Sequence, residues 1–306
     1  MERLAYSVII PLYNEKESAP LLHKELISVF DALGKPYELI FVDDGSSDGT
    51  SDVLRGIKPL LLLRLKRNAG QTAALGVGVR ESRGEVIITL DGDLENRPSD
   101  IPRLLAKLDE GYDIVSGWRK DRWKGKLFTR RIPSAIANRL ISLVTRVHLH
   151  DHGCTLKIYR REILEGLHFT GDMHRMIVAY AKREGARVAE MPVAFESRKF
   201  GTSKYGISRT FKVLLDVLAF HFFYKYARRP MHFFGAVGFA SFLLGAVAGM
   251  WALWLKVFED THFIRTPLPI LAAVCILIGF QFILMGLIAE IINRSDPTVP
   301  KYDREA

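Results

Sequence analysis

The 306 residues predict an α/β chain in which a doubly wound, mostly parallel sheet is followed by an interfacial amphipathic helix and two transmembrane helices. Three observations carry that expectation. Apolar strand patterns alternate with helical ones from Tyr6 to Phe195, the signature of parallel βα units. Three of these strands run out onto carboxylates, at Glu15, at Asp43 and Asp44, and at Asp91 and Asp93. After about residue 211 the chain turns strongly apolar, with two stretches long enough to cross a bilayer at roughly 20 residues per span.

Taken in order, Tyr6 to Pro11 is a buried strand that breaks at Leu12-Tyr13-Asn14-Glu15, and a helix follows to about Phe30, with Leu22, Leu26 and Val29 at helical spacing. Glu38 to Val42 repeats the strand and ends on Asp43-Asp44-Gly45-Ser46. Thr50 to Ile57 reads as a short helix and Leu60 to Leu65 as a third strand. Asn68-Ala69-Gly70-Gln71 opens a helix of small residues that reaches Ser82. Val86 to Leu90 is the next strand, Asp100 to Glu110 a helix and Tyr112 to Gly117 a strand. Further helices are expected over Ile132 to Val147 and from an N-cap at Asp172 to Glu184, with strands at Leu156 to Tyr159 and Arg187 to Phe195.

The strand at Val86 delivers Asp91-Gly92-Asp93 at its carboxyl end, where ligands gather in open α/β sheets. Two hard oxygen donors there suit Mg2+ or Mn2+, ions that commonly hold a substrate diphosphate as well. The structural alternative is a turn rich in Asp and Gly. Acids from three strand ends on one rim would repel one another, and a divalent cation together with base and ribose hydroxyls would satisfy them.

Charge and composition narrow the partners. The formal charge is +9, the chain is 48% hydrophobic and the sequence pI is near 9.5. Such a protein seeks anions: nucleic acid, anionic lipid or a phosphorylated substrate. Seven of the thirteen residues from Arg119 to Arg131 are Lys or Arg, interleaved with Trp123, Leu127 and Phe128. Membrane segments downstream favour a lipid head group over nucleic acid as the partner of this run, a solvated basic loop being the structural alternative. Cys154 and Cys275 fall in different regions, which predicts no disulfide and a reducing compartment for the sheet domain. The chain enters its first strand at once, with no signal-peptide pattern. His148, His150 and His152 alternate in a loop and lack the helical spacing of a zinc site, so structural or substrate-contacting roles are expected.

Tyr205 to Arg229 has an apolar stripe of Phe211, Leu214, Leu215, Leu218, Phe222 and Phe223 opposed by Arg209, Lys212, Lys225 and Arg228. A basic amphipathic helix beside a span lies in the membrane interface, an ordinary core helix being the alternative. Phe233 to Leu255 and Leu268 to Ile288 are the two spans. Gly235, Gly238, Gly245 and Gly249 permit close helix approach and self-association. Basic residues flank the hairpin outside both ends, which predicts cytosolic termini in an inner or plasma membrane.

Pro11-Leu12-Tyr13-Asn14-Glu15, Val42-Asp43-Asp44-Gly45-Ser46 and Asp91-Gly92-Asp93 resemble the motifs of family 2 glycosyltransferases of the GT-A fold, a Rossmann-like architecture. Arg198, Gly201, Ser203 and Lys204, in the pattern Arg-x-x-Gly-x-Ser-Lys, together with the interfacial helix and the hairpin, resemble the polyprenyl-phosphate glycosyltransferases. That group includes dolichol-phosphate mannose synthases and undecaprenyl-phosphate sugar transferases. The resemblance implies a GT-A domain over 1–203, the interfacial helix over 204–229, the hairpin over 230–293 and a cytosolic tail over 294–306. It implies a nucleotide-sugar donor (a UDP-sugar or GDP-mannose), a polyprenyl phosphate acceptor and inverting transfer with Mg2+ or Mn2+. Pro11, Tyr13, Glu15, Asp43 or Asp44, Asp91 and Gly92 would hold the nucleotide. Asp91, Asp93 and Glu95 would hold the metal, Glu95 standing where the family often has Gln. Arg119, Arg130, Ser134 and Arg198 would contact phosphates, with Arg131 and Lys204 toward the lipid phosphate and membrane. A processive polysaccharide synthase is disfavoured because neither Gln71 nor Gln281 opens a Gln-x-x-Arg-Trp motif. A non-catalytic nucleotide-sugar-binding adaptor is disfavoured by the intact Asp91 and Asp93.

Overall fold

Short runs rich in Val, Ile and Leu pair into one seven-stranded sheet in the order β3-β2-β1-β4-β6-β5-β7. The strands are β1 Tyr6–Leu12, β2 Tyr37–Asp43, β3 Leu61–Arg64, β4 Val86–Thr89, β5 Ile114–Trp118, β6 Lys157–Arg160 and β7 Val188–Pro192. This computed structural model describes residues 4–120, 122, 138–139, 141–142, 145, 147–165, 167, 176–196, 226 and 229–294. By its contacts the chain divides into two units, Met1–Val217 and Leu218–Ala306.

The expected mostly parallel sheet is present. β1 pairs parallel with β2 and β4, β2 with β3, and β5 with β7, while β6 runs antiparallel between β4 and β5. Register brings the acid-bearing ends together: Leu12 lies opposite Asp43 and Ile9 opposite Thr89. The chain segments that leave β1, β2 and β4 therefore emerge on one rim.

Alternation divides the side chains between two faces. Val8, Ile10, Leu39, Phe41, Ile88 and Leu90 face α1 (Ser18–Leu33) and α4 (Ile101–Asp109), which bury Leu22, Leu26 and Phe30 and Leu104 and Leu108 respectively. The opposite face of β1 and β2 carries α3 (Gln71–Glu81). Gly78 allows that close approach: a Cβ there would sit 2.3 Å from Ile9 Cγ2. Three short helices complete the described part of this unit: α2 Thr50–Leu54, α5 Arg161–Leu164 and α6 Ile177–Arg183.

Several boundaries differ from expectation. The short helix expected to reach Ile57 stops at Leu54, because Gly56 turns to φ +90°. A 3-10 turn, Pro98–Asp100, precedes α4, since Pro98 and Pro102 each remove a backbone donor. The last strand is shorter than expected, and Phe195 makes an isolated bridge with Asn96 instead. The expected helix over 132–147, the Asp172 cap and the amphipathic helix over 204–229 lie outside the described residues or largely so.

The second unit is a pair of long helices, α7 (Pro230–Phe258) and α8 (Leu268–Arg294), both candidate membrane spans by length and hydropathy. Each exceeds the expected span, and α8 runs on past Ile288 and Glu290 to Arg294. Gly238 and Gly279 let the backbones meet: a Cβ on either would lie 2.9 Å from the other's carbonyl oxygen. Ser241 Oγ donates across the pair to the Cys275 carbonyl at 2.8 Å. The outer surface is apolar, with Phe239, Leu277 and Trp251 among its exposed side chains.

Candidate active site

Each element delivers its polar residues by the same local device, a strand that ends and a loop held by side-chain hydrogen bonds. After β1, Asn14 turns to φ +58°, and its N–H donates to Ser46 Oγ at 2.9 Å. Asn14 Oδ1 accepts the Ser47 N–H at 2.9 Å, tying the β1 loop to the β2 loop. Tyr13 is exposed at this rim, and Glu15 accepts the Ser18 hydroxyl at 2.6 Å.

Asp43 and Asp44 are buried and organise the loops around them. Asp43 accepts the Ser46 N–H at 2.8 Å and the Ser51 hydroxyl, and Arg64 Nε lies 3.8 Å away. Asp44 accepts the N–H groups of Ala69 and Gly70 at 2.7 and 2.9 Å, which anchors the start of α3. Gly45 is required at this crossing: its φ is +72°, and a Cβ would lie 2.8 Å from Arg67 and Asn68 backbone atoms.

Thr89 and Asp91 share one face by alternation, so Asp91 stands on the α3 side of the sheet. There Gln71 Nε2 donates to Asp91 Oδ1 at 2.7 Å. Gln71 is a site residue that sequence reasoning missed; the available signal was an amide placed at the first helical position after Gly70. Asp93 is buried, and its Oδ1 accepts the Glu95 N–H at 3.1 Å. Gly92 packs so tightly that a Cβ would meet Leu12 Cδ2 at 2.2 Å.

Arg119, expected at a phosphate, is buried and grips Asp151 through two hydrogen bonds, Nε to Oδ2 at 2.7 Å and Nη2 to Oδ1 at 3.1 Å. Its Nη1 lies 4.0 Å from Glu95 Oε2. Asp151 does not stand out in the sequence, because its partner Arg119 lies 32 residues away on another element. His150 and His152 take structural positions: His150 Nδ1 lies 2.7 Å from Glu190 Oε2 and its ring stacks on Trp118, while His152 Nε2 lies 2.9 Å from Ser142 Oγ. Arg130, Arg131, Ser134, Arg198 and Lys204 lie outside the described residues.

The electrostatics follow from this packing. Burial and the neighbouring Asp93 push the Asp91 carboxyl up to about 7, with Thr155 and Arg119 pulling the other way. Burial also opposes ionisation of Asp151, yet Arg119 outweighs it and holds the carboxyl below its ordinary range. Burial, reinforced by Lys157, depresses His152 to about 4, so its imidazole is neutral.

Among the described residues no group of three or more His, Cys, Asp or Glu forms a ready metal cage. The donor set nonetheless fits Mg2+ or Mn2+: Asp91, Asp93 and Glu95 offer hard oxygens within one short loop, and burial together with the neighbouring Asp93 already raises Asp91. Mg2+ is usually held by one or two carboxylates, with waters and substrate phosphates completing its shell.

A mixed sheet of this order with an acidic rim after β4 has the GT-A architecture. The chain belongs to glycosyl transferase family 2, whose pattern matches residues 7–167, and the GtrB C-terminal hairpin matches residues 229–295. It is 40% identical to dodecaprenyl-phosphate galacturonate synthase of Rhizobium johnstonii over 99% of this chain and 92% of that one. It is 33% identical to undecaprenyl-phosphate 4-deoxy-4-formamido-L-arabinose transferase of Shewanella sediminis, over 94% of this chain and 87% of that one. In fold it is similar to mannosyl-3-phosphoglycerate synthase of Rubrobacter xylanophilus, with a TM-score of 0.59, 17% identity and coverage of 72% and 74%. Glucosyl-3-phosphoglycerate synthase of Mycobacterium tuberculosis, solved with Mn2+ and UDP, gives a TM-score of 0.56 at 17% identity, covering 72% of this chain and 79% of that one.

Proposed function

We propose that this glycosyltransferase moves a sugar from a nucleotide-sugar, a UDP-sugar or GDP-mannose, to a polyprenyl phosphate at the cytosolic face of a membrane. The observation that carries the reading is the convergence of the β1, β2 and β4 loops on one rim, with Gln71 clamping Asp91. The relatives named for transfer to dodecaprenyl and undecaprenyl phosphate support the acceptor.

In this reading Pro11, Tyr13, Glu15 and the loops built by Asp43 and Asp44 cradle the nucleoside, and Asp91 and Gly92 meet the donor. Asp91, Asp93 and Glu95 would hold Mg2+ or Mn2+, which when bound neutralises the leaving diphosphate. Gln71 fixes the Asp91 carboxylate, and Asp151 fixes the Arg119 guanidinium so that Nη1 is left toward Glu95 and the donor. Arg130, Ser134 and Arg198 are assigned to phosphates, with Arg131 and Lys204 at the lipid phosphate and membrane.

The acceptor needs no strong general base, because a phosphate monoester with a second pKa of about 6 is already anionic. Its oxygen attacks the anomeric carbon as the bond from that carbon to the diphosphate breaks. The nucleoside diphosphate leaves, and the configuration inverts. The test is incubation of membranes with undecaprenyl phosphate, Mn2+ and a panel of nucleotide-sugars, reading lipid products by mass and anomeric configuration. A single lipid-phosphate monosaccharide, inverted and absent in Asp93→Ala, is expected; a retained anomer would overturn the direct displacement.

A further inference from the structure

The loop that leads into β6 carries a ring that is fixed without being buried. The His150 side chain is 69% exposed, yet it is held from two directions. It stacks on Trp118, the last residue of β5, with ring centroids 4.3 Å apart. Its Nδ1 lies 2.7 Å from Glu190 Oε2. The Glu190 carboxylate also accepts the His150 N–H at 2.9 Å and the Asp151 N–H at 3.0 Å. Asn138 Nδ2 donates to the His150 carbonyl at 2.7 Å, which pins the backbone as well. A carboxylate accepts and does not donate, so the proton of the ring contact sits on Nδ1. Nε2 is left over, and among the described residues it has no hydrogen-bond partner. Ordering an exposed side chain costs conformational entropy and recovers little by burial. A ring held in this way is built to present an atom.

Register says where that atom stands. Thr89 and Ser116 both lie opposite Lys157, so two residues further along each strand direction Trp118 is level with Asp91 and on the same face of the sheet. β6 runs between their strands, which sets the two positions about 10 Å apart. Glu190 lies opposite Ser116 and shares that face. The donor diphosphate is assigned to the Asp91 side. A direct displacement takes its nucleophile from the side of the anomeric carbon away from the leaving group, which is toward Trp118 and His150. The surroundings there suit an anion. The Glu190 charge is met by N–H groups, Lys120 Nζ lies 5.8 Å from the centre of the Trp118 ring, and Arg119 follows Trp118 in the chain.

We propose that His150 is a further acceptor-binding residue, whose Nε2 meets an oxygen of the lipid monophosphate that attacks the sugar. This rests on the polyprenyl-phosphate reading given above and deepens it. One proton lies in the contact between Nε2 and the phosphate; with it on the ring, the phosphate stays fully anionic for attack. Glu190 holds the Nδ1 proton at the other side of the ring and so sets the direction in which Nε2 points, which makes it a positioning residue.

Titration calorimetry of the full-length protein in detergent with Mn2+ would test this, using farnesyl phosphate, farnesol and UDP as probes. His150→Asn keeps an amide where Nδ1 meets Glu190 and removes the nitrogen at Nε2. It should weaken farnesyl phosphate about 10- to 100-fold, the range for one hydrogen bond to a charged group, and leave farnesol and UDP unchanged. His150→Gln, which returns an amide to the Nε2 position, should restore most of that affinity. His150→Phe keeps the stack on Trp118 without either nitrogen, and it should lose the same affinity as the Asn variant where that one does not fold. Unchanged farnesyl phosphate affinity in a folded Asn or Phe variant would overturn the assignment. So would an equal loss for farnesol, or a loss confined to UDP. If the wild-type protein binds no farnesyl phosphate at all, the acceptor reading itself fails and takes this inference with it.

Discussion

The Gln71 amide and the Asp91 carboxylate are the pair on which the rim's geometry turns. Their 2.7 Å hydrogen bond joins the first turn of α3 to the segment that leaves β4, closing one βα crossover at the rim. Gln71→Leu removes the amide that orients Asp91 Oδ1, and transfer should fall about 10- to 100-fold, the scale of a lost charged hydrogen bond. Gln71→Glu should cost more, because it adds a negative charge beside a carboxyl that burial and Asp93 already hold up near 7. Initial rates with thermal unfolding as the folding control would separate lost positioning from lost structure.

The same raised carboxyl gives the proposed cation binding a pH dependence whose sign can be worked out. Asp91 starts from 3.8 and is lifted to about 7, so its proton favours the folded, cation-free protein below 3.8, and that contribution disappears as pH rises through 7. A cation must displace this proton below 7 and meets none above it. Mn2+ affinity should therefore fall by about tenfold per pH unit below 7 and level off above 8. Overall stability is a poor readout, because His152 acts in the opposite sense. Lowered from 6.5 to about 4, it favours the folded state above 6.5 and loses that contribution as pH falls through 4. Asp91→Asn should flatten the Mn2+ profile; an unchanged slope in that variant would assign the proton elsewhere.

At the scale of elements, the strands and their acidic ends were legible because period-two apolar runs and Asp-rich breaks are local signals. The placement of β6 was not. Nothing within Lys157–Arg160 says that it inserts antiparallel between β4 and β5, since pairing is decided by residues far along the chain. The pairing of Arg119 was hidden for the same reason: the basic run advertised a surface, and its first member instead turns inward to Asp151, 32 residues away. This pair staples the β5 exit to the loop before β6. Asp151→Asn should destabilise the domain by about 3–5 kcal/mol, the usual cost of stranding one member of a buried pair. Denaturant unfolding would measure it, and a change below about 1 kcal/mol would show that Arg119 has another partner.

The hairpin makes a second prediction at this scale. Gly238 and Gly279 sit where each backbone carbonyl fills the space of the other's missing side chain, 2.9 Å from where a Cβ would stand. Apolar attraction does not drive helices together in lipid, so this close approach does. Gly279→Leu should separate α7 from α8 and shift crosslinking between cysteines placed at Ala248 and Ala272, while Gly235→Leu, whose nearest neighbour is Met231 at 3.6 Å, should be tolerated.

For the whole molecule, composition spoke loudly and arrangement did not. The two apolar runs were evident from hydropathy alone, and both correspond to long helices, α7 and α8. Which side of the membrane holds the acidic rim depends on charges outside those helices. Arg229 precedes α7 and Arg294 closes α8, whereas the link between them carries Glu259 and Asp260 against Arg265. Translocation disfavours the more basic flanks, so the link should face outward and the sheet domain inward, where nucleotide-sugars are made. Thiol labelling resolves this once Cys154 and Cys275 are replaced by Ala. Thr261→Cys, in the link, should react with a membrane-impermeant maleimide on intact cells. Lys35→Cys, exposed just after α1, should react only after permeabilisation. The reverse pattern would put the rim on the wrong side for a cytosolic donor, and the transfer reaction proposed for this enzyme would fail on supply of its substrate even with every residue of the site in place.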